Sequence, residues 1–120
     1  MNTHRQNTID EIKKVGIIGG GRGGTALLQT LSRLPQVIIV GICDIDSRAP
    51  ALYLARDSGI KTYLEMEQLV DDQPVDWLIN ATNRSIAQRH ILSHQYNNVK
   101  LIDGHIAELI WRLLLDFEKA

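Results

Sequence analysis

The sequence predicts an open α/β sheet, doubly wound, with parallel strands and helices on both faces. Three observations predict it. Short β-branched runs (VGII, VIIVGIC, VDWLIN, VKLI) recur along the chain, and runs this continuously apolar are those of strands buried on both faces. Stretches of helical length and period separate them, and such alternation marks a parallel sheet built from right-handed crossovers. Finally, a glycine-rich turn, GGGRGG, follows the first apolar run and precedes the first helical stretch.

Each element has a local reason. Residues 1–13 are polar and form an extension ahead of a single domain spanning 14–120. Strand 14–18 passes through the glycine turn into helix 22–34, closed by Leu34-Pro35 because a residue before proline avoids helical geometry. Strand 37–43 leads to helix 47–58. Asp46 or Ser47 is the expected cap for a start near Arg48, and Asp57-Ser58-Gly59 ends that helix. A brief strand near 61–63 and a short helix 65–71 come next, and Asp71-Asp72-Gln73-Pro74 leads into strand 75–80. Helix 84–95, strand 99–102 and helix 104–118 complete the pattern, with 3-2-1-4-5 as the expected strand order.

Composition narrows the function classes. At 120 residues there is room for one core. The formal charge of −1, with no basic stripe, argues against a nucleic-acid or anionic-membrane surface. No apolar run has the length of a membrane span, and the opening MNTHRQNTIDEIKK lacks the apolar core of a signal peptide. A single cysteine, Cys43, excludes an internal disulfide and suits a reducing compartment, so the cytoplasm is expected.

The glycine turn carries the first chemical signal. Gly19, Gly21 and Gly24 occupy the key positions of G-x-G-x-x-G. Gly19 permits the tight turn, Gly21 leaves room for a pyrophosphate against the main chain, and Gly24 lets the helix pack close to the strand. The helix opening here aims its free N–H groups and positive dipole end at that phosphate. The next apolar run ends at Asp44, twenty positions after Gly24. A carboxylate there takes the ribose hydroxyls of an adenosine and repels a 2′-phosphate, and Ile45 stands where an arginine would favour NADP. NAD(H) is therefore expected over NADP(H). The plainer alternative is that the glycines only make a turn and Asp44 caps a helix. Arg22 either touches the pyrophosphate or is solvated in the first helical turn.

Together these residues resemble the N-terminal nucleotide-binding domain of the Gfo/Idh/MocA oxidoreductases. The resemblance runs from about Lys14 to Ile91 and includes VGIIGGGRGG, VGICDID and YLEMEQLVDDQPVDWLINAT. It implies a Rossmann-type fold in which Gly19, Gly21, Arg22 and Asp44 contact the cofactor, with Gly23 and Gly24 completing the turn. It also implies that Ala81, Thr82 and Asn83 line the nicotinamide side. Two departures bear on activity. Asn83 and Ala87 replace the proline and histidine that follow the family's Ala-Thr pair. Ile102-Asp103-Gly104-His105 replaces its Glu-Lys-Pro, whose lysine belongs to the catalytic site.

The remaining candidates have bland alternatives. His105, with Asp103, is the candidate for a proton-moving group at the end of the fifth strand, where such folds bind ligands; the alternative is a turn and helix start with a solvated histidine. His90 and His94 have metal-ligand spacing without an acid or cysteine to complete a set, which favours a solvated helix face. Cys43 reads as a small core residue. In helix 104–118, Ile106, Leu109, Ile110, Leu113, Leu114 and Phe117 make the expected core stripe. Trp111 and Leu115 fall off it and suggest a surface for a second copy or a partner domain. Two readings of function follow: an NAD(H)-binding module with a sensory or scaffolding role, or the cofactor half of an NAD-dependent oxidoreductase.

Overall fold

The chain, described by a computed structural model over residues 11–82, 84, 91 and 98–119, builds one parallel sheet of five strands. These are β1 (Lys13–Ile18), β2 (Val37–Cys43), β3 (Thr62–Tyr63), β4 (Trp77–Asn80) and β5 (Lys100–Ile102). Their order is β3-β2-β1-β4-β5, with every pairing parallel. The order reverses direction at β1, between β2 and β4, and this is where doubly wound sheets open a ligand crevice. The described helices are α1 (Arg22–Leu31), α2 (Pro50–Asp57), α3 (Met66–Asp72) and α4 (Gly104–Lys119). None is long and apolar enough to cross a membrane. Of the expected helix 84–95 only residues 84 and 91 are described, so that helix, Ala87, His90 and His94 lie outside the description.

The sheet separates two apolar layers. Val15, Ile17, Ile39, Ile42 and Ile79 face α1 and α2. Ile18, Cys43 and Leu78 face Met66 and Leu69 of α3 on the other side. Within β2 the register against β1 shifts by one residue at Val15/Gly16, where Val15 pairs with Ile39 but Gly16 pairs with Gly41. This bulge lets Ile39 and Ile42, three apart, point into the same layer despite the period of two. The two glycines make room for α3 and β3: a Cβ on Gly16 would lie 2.8 Å from Leu69, and one on Gly41 would lie 2.8 Å from Tyr63 and 3.2 Å from Leu69.

Two helix boundaries stand out as different from expectation. Helix α1 ends at Leu31 rather than 34, and Ser32–Leu34 form turns back onto Leu28, Thr30 and Leu31. Helix α2 starts at Pro50, not near Arg48, with Ala49 as its N-cap residue. Asp46 is spent on its own turn, accepting the Arg48 N–H at 2.9 Å. Pro50 then holds Ala49 extended and takes the first helical position, where its missing N–H costs nothing. Gly59, at φ 78°, ends α2 as expected.

Helix α4 departs from the expected core stripe at three of its positions. Ala107 is fully buried and Ile110 packs beside it, while Ile106, Leu109 and Leu113 are 52%, 58% and 51% exposed. The helix lies on α1 and β4, and small residues at Gly104 and Ala107 let it come close. The side chains of Trp111, Leu114, Leu115 and Phe117 lie outside the described residues.

Candidate functional site

A cleft of about 1050 Å³ opens at the carboxyl ends of β1, β2 and β4. The glycine turn forms its floor. Gly19 adopts φ 107°, a left-handed conformation that favours glycine, and donates its N–H to the Cys43 carbonyl at 2.7 Å. A Cβ added to Gly19 would come within 3.0 Å of Ala81 and Thr82. One on Gly20 would lie 2.9 Å from Ala49, and one on Gly24 would lie 1.8 Å from the Gly19 carbonyl oxygen. Packing of the chain against itself therefore accounts for these three glycines.

Gly21 is different. A Cβ there would meet nothing within 4 Å, and its φ of −83° lies outside the left-handed region. No neighbouring atom excludes a side chain at this position, and the vacant space lies in the cleft. Gly21 is also the N-cap residue of α1, and no side chain caps that helix or places an acid in its first turn. The first-turn amides beside Arg22 and Gly23 thus border the cleft as open donors, the usual provision for an anion.

Asp44 closes the β2 side. Its Oδ2 accepts the Gly20 N–H at 2.7 Å and its Oδ1 accepts the Asp46 N–H at 2.8 Å. The carboxylate is thus pinned rather than held free in reserve. With about two lone pairs on each oxygen it retains acceptor capacity for a hydroxyl. Ile45 beside it is 85% exposed and shares the cleft with Leu64, two apolar walls on its outer part. Glu65, Glu67 and Asp46 also line the cleft, as do the cations Arg22, Arg48 and Arg84.

On the opposite side, Ala81 and Thr82 follow β4 into the cleft, with Arg84 next to them. The Ala81 N–H continues the sheet pairing to the Ile18 carbonyl at 2.7 Å. Thr82 is held by Asn80, a polar residue inside an otherwise apolar strand and only 1% exposed. The apolar run WLIN carried that signal in its last letter. Asn83 lies outside the described residues.

His105 is exposed and does not line the cleft; its neighbours Gly104 and Glu108 do. Asp103 caps α4, its Oδ1 accepting the Ile106 N–H at 3.0 Å. Cys43 lines the cleft floor but is a poor nucleophile. Burial first, then the nearby negative charges of Asp44 and Glu67, push its thiol up to about 12, against the opposing effect of a hydrogen bond from the Gly19 backbone. Among the described residues no cluster of three metal-ligating side chains occurs.

The model of the Gfo/Idh/MocA family, an oxidoreductase family with an NAD-binding Rossmann fold, matches residues 13–102. Comparison with curated proteins finds no match. Three similar solved structures are a myo-inositol 2-dehydrogenase from Lactobacillus plantarum, GenD2 from gentamicin A biosynthesis in complex with NAD, and a dehydrogenase from Chromobacterium violaceum. The first is 19% identical with a TM-score of 0.64, over 78% of this chain and 28% of that one. GenD2 is 24% identical at 0.58, over 76% and 26%. The third is 21% identical at 0.59, over 78% and 28%. At these identities the likeness is one of fold, and this chain spans little more than a quarter of each.

Proposed function

This chain belongs to the Gfo/Idh/MocA oxidoreductase family, and from that premise we propose that it is the NAD(H)-holding half of an NAD-dependent oxidoreductase. The observation that carries this reading is the space at Gly21. Gly19, Gly20 and Gly24 are crowded by the chain itself, whereas Gly21 is open toward the cleft. A dinucleotide fits the donor set. Gly21 and the uncapped amides of α1, with Arg22, would hold the pyrophosphate. Asp44 would accept the adenosine ribose hydroxyls, and Ile45 and Leu64 would flank the adenine. Ala81, Thr82 and Asn83 would border the nicotinamide, which supplies hydride transfer when bound.

The acids Asp44, Asp46, Glu65 and Glu67 favour NAD(H) over NADP(H), because a 2′-phosphate would enter a negative field. His105 does not line the cleft, and the catalytic lysine of the family's Glu-Lys-Pro stretch has no counterpart at Asp103-Gly104-His105. The residues that bind the substrate and the group that moves its proton would thus lie elsewhere than Asp103-Gly104-His105. The sensory or scaffolding module considered from the sequence has no comparable support. The partner, a second copy or another domain, would meet the outer face of α4, and a reducing, cytoplasmic setting suits the free thiol of Cys43.

Calorimetric titration of the purified chain with NAD, NADH, NADP and ADP-ribose tests the reading. Binding of NAD(H), with NADP(H) weaker, is expected. Binding of none of the four would end it.

A further inference from the structure

We propose that Asn80 is a positioning residue that sets the Thr82 hydroxyl as a hydrogen-bond acceptor toward the carboxamide end of a nicotinamide dinucleotide. The proposal rests on the reading of this cleft as an NAD(H) site. It starts from a buried amide in the wrong company. Asn80 ends β4, paired in register with Ile18 and preceded by Leu78 and Ile79, and it is 1% exposed. An apolar side chain there would extend the core, whereas a buried amide costs free energy unless its hydrogen bonds are made.

Two of the Asn80 hydrogen bonds are with Thr82. Its backbone N–H donates to Asn80 Oδ1 at 3.0 Å, and its hydroxyl donates to the same oxygen at 2.6 Å. A backbone N–H can only donate, so the atom receiving it is the amide oxygen and not the nitrogen. The Thr82 hydroxyl has one hydrogen, and Asn80 takes it. The Arg84 N–H then donates to Thr82 Oγ1 at 3.2 Å. What Thr82 still offers the cleft is a lone pair. The carboxamide of nicotinamide carries an NH₂ group, a donor that matches it. The same loop lies against the glycine turn, since a Cβ on Gly19 would come within 3.0 Å of the Thr82 nitrogen. A shift of Thr82 would thus be felt at the cofactor and not only at the surface.

NADH and ADP-ribose share the pyrophosphate and adenosine and differ in the nicotinamide, so the pair isolates the proposed contact. Asn80→Leu and Thr82→Val should each weaken NADH about 5–10-fold, the worth of one hydrogen bond, and leave ADP-ribose within about twofold. Thr82→Ser, which keeps the hydroxyl, should restore NADH affinity. Equal loss for both ligands, or no loss for either, would overturn the role. Should Asn80→Leu fail to fold, the Thr82→Val and Thr82→Ser pair decides the matter alone.

Amide hydrogen exchange of the ligand-free protein supplies a readout independent of the cofactor. The Thr82 amide should exchange faster in Asn80→Leu while amides of β1 and β2 keep their protection. Unchanged exchange at Thr82 would remove Asn80 as its anchor. If the unaltered chain bound neither nucleotide, the NAD(H) reading and the carboxamide contact would fall together. The exchange result would still tell whether Asn80 holds Thr82.

Discussion

The Asp44 carboxylate accepts the backbone N–H of Gly20 at 2.7 Å, tying the end of β2 to the glycine turn that follows β1. One residue thus serves two purposes. It fixes the shape of the turn and presents acceptor oxygens to the same cleft.

Replacing Asp44 by Ala should weaken NAD(H) by roughly tenfold to a hundredfold, the range of hydrogen bonds to a charged group. NADP(H) should lose less or gain, because the repulsion of its 2′-phosphate is relieved. Calorimetric titration of both cofactors against wild type and variant checks this. Equal affinity of the wild type for the two would remove the discriminating role of Asp44.

The glycines at 21 and 24 should separate binding from folding. Gly21→Val should abolish dinucleotide binding at a smaller cost in stability than Gly24→Ala, since its Cβ meets no protein atom within 4 Å. Gly24→Ala forces a Cβ to 1.8 Å from the Gly19 carbonyl oxygen and should cost about 1–3 kcal/mol of stability. Thermal melts and titrations of the two variants, run side by side, make the comparison.

Cys43 should make the fold sensitive to alkali. Its thiol rises from an ordinary 9.0 to about 12 in the folded chain. Above pH 9 the unfolded thiol loses its proton first, so the folded state binds more protons and stability falls as pH rises. The contribution is complete below pH 9 and is lost through the window up to about 12. Urea unfolding across that window should show the wild type losing stability faster than Cys43→Ala, and parallel curves would refute the assignment.

The outward face of α4 should be an interface. Leu109 is 58% exposed between Ile106 and Leu113, so Leu109→Glu should change folding stability by no more than about 0.5 kcal/mol. It should nevertheless convert a dimer to a monomer in light scattering. A wild type that is already monomeric at high concentration would leave a partner domain, not a second copy, as the occupant.

Much of this protein was legible in its sequence for a local reason. Strand runs, the GGGRGG turn and Asp44 at the end of VIIVGICD are patterns whose geometry follows from neighbours a few residues away. With right-handed crossovers they imply the strand order 3-2-1-4-5 found in the sheet. Turn chemistry was less secure where two local rules competed. Asp46 is a good cap by type, but Pro50 three residues on from Ser47 set the start of α2.

Tertiary structure decided what periodicity leaves open. The apolar arc of α4 is wide, and its spacing says that a face exists without saying which part the core receives. Contact with α1 and β4 selected Ala107 and Ile110 and left Ile106, Leu109 and Leu113 outside. The sequence likewise determined that glycines would line the turn, but only the fold distinguished those crowded by the chain from Gly21, which is open. The pinned Asp44 and the Asn80–Thr82 clamp belong to the same class. Each joins groups whose hydrogen bonding depends on where the folded backbone places them, and no spacing along the chain encodes that.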